Sequence, residues 1–205
     1  MNKKWLVGGV AAFLAVAAVL ALVVGGVVGR SIVPEPADPE PEPVVVKPED
    51  APRLVRFTDT LTDVSIAYPS TWQRRLAGDQ AVRLVASSPD ASAAVSISVR
   101  KSDLETVTVE TLPIVRTLTD DLLREDPRIG ELPEPAAVTV DGLPGYRYTY
   151  TYRSDGGGRG AHIHYFLFKD ARLIQMVFQA VPASELEELQ PTFDEVARSF
   201  RKGRT

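Results

Sequence analysis

His162 and His164 are the two histidines of this 205-residue chain, and they stand at i and i+2. On a β-strand that spacing turns both imidazoles to one face, where two neutral nitrogens could ligate a divalent metal ion. A third ligand would have to come from Asp155 or Asp170, the carboxylates that flank the segment. The chain has no cysteine, so thiolate ligands, disulfides and a lipidated cysteine are all excluded. Just upstream, Tyr146, Tyr148, Tyr150 and Tyr152 recur at every second position. On a strand they form a one-sided stripe whose hydroxyls could hydrogen-bond a glycolipid or peptide, or pack as core. Gly156–Gly158 lacks the Lys-Ser/Thr that completes a phosphate loop. There is neither a Gly-x-Ser-x-Gly elbow nor a His-Glu-x-x-His pair. With no nucleophile–base pair and no cofactor signature, the expected mode of action is binding without turnover. A metal-dependent enzyme built on the histidine pair is the competing reading.

The elements that position these residues are legible from periodicity. In "AAVSISVRKS", Ala93, Val95, Ile97 and Val99 alternate with Ala94, Ser96, Ser98 and Arg100. That pattern predicts a strand with one well-buried face. Further strands are expected at residues 54–58, 64–68, 81–87, 136–140, 146–153, 161–169 and 173–181. Turns at Asp141-Gly142, "SDGGGRG" and Lys169-Asp170 separate the later ones. The tyrosine strand and the histidine strand therefore form a hairpin. If Tyr152 pairs with His162, the tyrosines share a face with His164, Phe166 and Phe168. If it pairs with Ala161, they join Ile163, Tyr165 and Leu167. A one-residue slip exchanges the faces, and both registers stay open. Thr111 and Pro113 predict a helix start, with Leu112, Val115, Leu118 and Leu122 as its apolar stripe and Pro127 beyond its end. Asp120-Asp121 on this helix reads as solvated. Ser184-x-x-Glu187 and Thr192-x-x-Glu195 read as two capping boxes, with a break or kink at Pro191. Phe193, Val196, Ala197 and Phe200 then dock the last helix on the sheet. The class is α+β, an antiparallel sheet between helices.

The stretch "SIAYPSTWQRR" ends a strand at Pro69, which cannot donate to a ladder, and returns Trp72 onto the core beside Tyr68. These three residues read as structural. A strand ending in Tyr-Pro-x-x-Trp resembles the PsbP-like fold, the group holding PsbP, DcrB-type and LpqN-type proteins. "VDGLPGYRYTY", "IHYFLFKDARLIQMVFQA" and a final helix ending "VARSF" extend the resemblance over residues 54–201. It implies an antiparallel sheet between helices. It also implies binding roles: envelope lipid and protein binding for LpqN-type members, docking on a membrane complex for PsbP. The chain departs from the LpqN pattern in its anchor.

That anchor is the apolar run Trp5 to Val28, preceded by Lys3 and Lys4 and followed by Arg30. As a helix it would reach ~36 Å, enough to cross a ~30 Å hydrocarbon core. Residues 1–30 thus read as an uncleaved transmembrane signal anchor with a cytoplasmic N-terminus. Residues 31–52 hold seven prolines and read as an extended, acidic stalk. Residues 53–205 form the outer domain. A net charge of -4 argues against nucleic acid as a partner. The expected protein is a single-pass membrane protein whose outer domain binds an envelope lipid, a glycolipid or an apolar small ligand. It alternatively serves as an accessory subunit of a membrane complex. The candidate ligand residues are Tyr146, Tyr148, Tyr150, Tyr152, His162 and His164, with the groove beside the last helix as a second surface. No cofactor or metal is expected.

Overall fold

A computed structural model describes residues 53–104 and 106–203. The expected anchor and stalk lie outside the described residues. No helix among the described residues is long and apolar enough to cross a membrane.

Strands β1 (Leu54–Asp59) and β2 (Val64–Pro69) form a separate antiparallel hairpin. Pro69 is the last residue of β2, and the Trp72 N–H closes the turn onto the Pro69 carbonyl at 2.9 Å. The seven remaining strands are β3 (Gln73–Arg74), β4 (Val82–Ser87), β5 (Ala93–Lys101), β6 (Ala136–Val140), β7 (Leu143–Arg153), β8 (Arg159–Lys169) and β9 (Arg172–Ala180). They make one antiparallel sheet in the order β3-β4-β5-β9-β8-β7-β6. Helix α1 (Leu112–Arg124) follows β5, and α2 (Leu186–Arg198) follows β9. The expected strands are all present, each end within three residues of its expected place. β3 was not foreseen, since two residues carry no period.

The two faces of the large sheet bury different material. Ile97, Ile163, Leu167, Ile174, Met176 and Phe178 face α2 and the β1–β2 hairpin. There they meet Phe193, Val196 and Phe200, together with Val64, Ile66 and Tyr68. Phe193 and Phe200 are fully buried, so truncating either to alanine costs about 3–5 kcal/mol. Trp72 is half-buried against this core, edge-to-face with Phe193 at 6.4 Å between centroids. On the opposite face, Leu112, Val115, Leu122 and Leu123 of α1 cover Tyr146, Tyr148, Tyr150, Phe166, Phe168 and Leu173. The sheet is therefore buried on both faces. Ala94, Ser96 and Ser98 are buried along with Ala93, Val95 and Ile97, which corrects the expectation of a single buried face.

The helix ends depart from the sequence reading. Thr111 precedes α1 without a side-chain cap; its hydroxyl accepts the Thr108 N–H at 2.8 Å instead. Neither C-terminal capping box forms. A 3-10 turn at Ala183–Glu185 runs straight into α2, which then passes through Pro191 unbroken. Pro191 lies on the exposed side, where water can satisfy the carbonyl its missing N–H would have bonded. Docking of Phe193, Val196 and Ala197 outweighs a proline penalty of ~3 kcal/mol. Two backbone hydrogen bonds then clasp the chain end to the first hairpin: Ser65 N–H to the Arg201 carbonyl at 2.9 Å and Arg201 N–H to the Ser65 carbonyl at 2.8 Å. The Ser199 hydroxyl accepts the Ala67 N–H at 2.7 Å.

Candidate ligand-binding face

The hairpin β7–β8 sets Tyr146 opposite Phe166, Tyr148 opposite His164, Tyr150 opposite His162 and Tyr152 opposite Gly160. The tyrosines therefore share their face with His162, His164, Phe166 and Phe168. The face is that of the first expected register, displaced by two residues along the strand. Gly160 explains the displacement. The Tyr152 ring lies across it so closely that a Cβ there would sit 2.5 Å from the ring. Tyr152 also stacks on His162 at 4.2 Å. A lone glycine inside a strand marks close approach of another group, and this was the missed signal for register.

This stripe is closed: of the two roles the sequence allows for the tyrosines, they take that of packed core. All six candidate residues are at most 6 % exposed. Each tyrosine from Tyr146 to Tyr150 has an internal partner. The Tyr146 hydroxyl donates to the Leu112 carbonyl at 3.2 Å, and Tyr148 donates to Asp120 Oδ1 at 2.7 Å. Thr119 Oγ1 stands 2.6 Å from the Tyr148 phenol. Asp120, expected in solvent, is thus buried beside Tyr148, with Arg116 and Arg124 each 3.7 Å from its carboxylate. Asp121 is exposed, as expected.

The histidines are engaged at all four ring nitrogens. The Tyr150 hydroxyl lies 3.3 Å from His162 Nδ1 and 3.1 Å from His164 Nδ1. His162 Nε2 is 3.1 Å from Gln179 Oε1, and His164 Nε2 is 3.0 Å from Gln175 Oε1. If both Nε2 atoms carry the proton, both Nδ1 atoms compete for one phenolic hydrogen. Burial pushes the His162 pKa down to about 4 and that of His164 to about 3, so both rings are neutral at physiological pH. Burial raises the Tyr148 and Tyr150 phenols, and lifts Tyr152 to about 12. Among the described residues no group of three or more histidines and carboxylates could hold a metal ion. Asp155 is exposed, 3.9 Å from Arg128, and Asp170 is exposed in the β8–β9 turn.

The same sheet face continues past the histidines onto β9, β5 and β4. Ser98 pairs with Gln175 and Ser96 with Val177 across β5 and β9. Ser96, Ser98 and Gln175 are each 2 % exposed or less, yet Ser96 Oγ, Ser98 Oγ and Gln175 Nε2 have no hydrogen-bond partner among the described residues. Beside them Val82, Val85, Ala94 and Val177 form an apolar patch that none of α1's buried side chains joins. A buried polar atom left unpaired costs roughly 1–3 kcal/mol, so three in one strip call for a partner. Sequence reading passed over this strip because "LIQMVFQA" scans as apolar and Ser96 and Ser98 as an outer face. The groove beside the last helix is a shallow cavity of about 300 Å³, lined by Thr149, Thr151, Ala161 and Leu186 among others.

The family model described as PsbP matches residues 52–202. No curated protein matches the chain. Among solved structures, the solution structure of cyanobacterial PsbP (CyanoP) from Synechocystis sp. PCC 6803 is 18% identical. It covers 76% of this chain and 96% of its own, with a TM-score of 0.53. The Saccharomyces cerevisiae Ran-binding protein Mog1p is 10% identical over 74% of this chain and 96% of its own, with a TM-score of 0.51. LpqN, involved in cell envelope biogenesis of Mycobacterium tuberculosis, is 11% identical over 75% and 92%, with a TM-score of 0.49.

Proposed function

The chain belongs to the PsbP family, and on that premise we propose that it is a membrane-anchored, extracytoplasmic domain that acts by binding, without turnover. Residues 1–30 anchor it, residues 31–52 hold it off the bilayer, and the domain takes up an envelope lipid or another amphipathic ligand. The observation that carries this reading is the strip on β4, β5 and β9. Ser96 Oγ, Ser98 Oγ and Gln175 Nε2 are buried, with no hydrogen-bond partner among the described residues, beside Val82, Val85, Ala94 and Val177. A ligand with an apolar body and hydroxyl or amide groups would satisfy both halves. The Tyr146–Tyr152 stripe, His162 and His164 form the rigid wall of that site, reaching it through Gln175 and Gln179. A binding role is in keeping with the name of one protein of similar fold, the Ran-binding protein Mog1p.

Docking on a membrane complex is the second reading. It is favoured by Val109 and Ile114, large apolar residues near the start of α1 that are 62% and 78% exposed.

Native mass spectrometry of the full chain extracted from its own membranes tests the proposal. A bound amphiphile in the wild type that is lost in Ser96→Ala/Ser98→Ala supports the strip. A ligand-free protein, or an adduct unchanged in that variant, refutes it. Co-purification of a stoichiometric protein partner, lost on Ile114→Asp, would establish docking instead.

A further inference from the structure

On the opposite sheet face from the strip, the ends of three central strands carry a row of cations. Lys101 of β5 pairs with Arg172 of β9, and Arg172 pairs with Lys169 of β8. Like charges directly opposite one another destabilise a sheet, and these strands lie in its middle, where no edge needs protection. Lys169 is 7% exposed, and its ammonium meets the Lys202 carbonyl at 2.6 Å. Arg172 Nη1 donates to the Thr62 carbonyl at 3.3 Å. Among the described residues none of the three makes an ion pair.

The row lines a cavity of about 560 Å³, a volume typical of small-ligand sites. Its other walls bring Asp63, Asp103 and Asp170. These carboxylates are exposed, and none comes within 4.0 Å of the cations. Asp63 rests against the Gly203 backbone, and Asp170 is held in the β8–β9 turn in the left-handed region. Three positive and three negative groups thus face one space without neutralising each other. A simple anion would gain the cations but meet the carboxylates. A ligand carrying both charges gains at each wall.

We propose that this cavity binds a zwitterionic phospho-amine. Its phosphate sits on Lys101, Lys169 and the Arg172 guanidinium, whose planar fork matches two phosphate oxygens. Its ammonium lies toward Asp103 and Asp170. The chemistry is shared by a free phosphoethanolamine-type metabolite and by the headgroup of an amino-phospholipid.

Calorimetric titration of the full chain in neutral maltoside detergent tests this. Phosphoethanolamine should bind with a Kd below about 1 mM, and inorganic phosphate or ethanolamine alone at least about tenfold more weakly. Lys101→Gln/Arg172→Gln, at exposed positions, should weaken phosphoethanolamine at least about tenfold while the melting temperature stays at or above the wild-type value, since a like-charge pair is removed. Asp103→Asn/Asp170→Asn should abolish its advantage over inorganic phosphate. Glycerophosphoethanolamine, a diester, separates the sources. Binding equal to or tighter than the monoester identifies a lipid headgroup, and weaker binding a free metabolite. No binding of either phospho-amine, unchanged affinity in the cation variant, or phosphate binding as tightly as phosphoethanolamine would overturn the assignment.

Discussion

Acidification from about pH 7.5 to about pH 5 should weaken the domain by about 4 kcal/mol through His162 and His164 alone. Both rings are buried on the sheet face that carries α1, and their pKa values lie near 4 and near 3 in the folded protein. In the unfolded chain both return to about 6.5. Folded values below unfolded ones mean that the unfolded chain takes up more protons as the pH drops. Stability is then fully present above about 6.5, falls through the interval below it, and levels off once the folded values are passed. At about pH 5 the unfolded rings are almost wholly charged and the folded ones almost wholly neutral, which gives about 2 kcal/mol for each. Carboxylates add little in this interval. Asp59, Asp79, Asp90 and Asp126 are all held below the usual range and stay ionised in both states. Urea melts at a series of pH values would read the loss as a shift in midpoint at constant slope. A loss under about 1 kcal/mol would refute the reasoning, as would imidazole NMR signals that titrate near the ordinary value in the folded protein.

Three further outcomes are expected. Trp72→Ala should destabilise by about 2 kcal/mol, below the roughly 3–5 kcal/mol of a fully buried aromatic, because the residue is only partly buried; a change under about 0.5 kcal/mol in denaturant melts would place it among ordinary surface residues. Tyr148→Phe should cost about 1–3 kcal/mol, since it strips the buried Asp120 carboxylate of its phenolic donor at 2.7 Å; Asp120→Asn in the same background should recover part of it, and a wild-type melt would contradict the network. Protease added to intact spheroplasts should remove the outer domain and leave a membrane-embedded stub; a protected domain would overturn the proposed topology.

The architecture was readable where burial on a face imposes a period. Val95, Ile97 and Val99 declared β5, and Phe193, Val196 and Phe200 declared the docking face of α2. Tyr68, Pro69 and Trp72 also did what their order implies, closing a turn and returning an aromatic ring to the core. The helix ends were less legible. Capping motifs are local statements, and tertiary docking drew Pro191 into a continuous helix and left Thr192 inside it. The candidate site was least legible. Which face the tyrosines take depends on the β7–β8 register, and where along the strand they sit is marked by the Tyr152 ring lying over Gly160. Whether that face is open depends on α1, and on Asp120 turning inward to meet Tyr148. Gln175, Ser96 and Ser98 looked unremarkable because their meaning lies in missing partners, which only three-dimensional neighbours reveal.

The clasp between Ser65 and Arg201 has a consequence for how the chain reaches this state. The first hairpin of the domain is completed by residues at its far end: Arg201 pairs with Ser65 and Ser199 with Ala67. During synthesis, which emits the chain from its N-terminus, β1 and β2 are made early. Val64, Ile66 and Tyr68 must then wait with their apolar side uncovered until α2 emerges. The order β4-β5-β9 adds a similar delay, since β5 pairs with β4 at once but its other edge stays open until α1, β6, β7 and β8 have been made and β9 follows. Closing such distant pairs costs loop entropy before any packing repays it, so acquisition of the native state should be slow and late. A chain truncated just before α2 should expose that hairpin persistently and depend on holding factors to stay in solution.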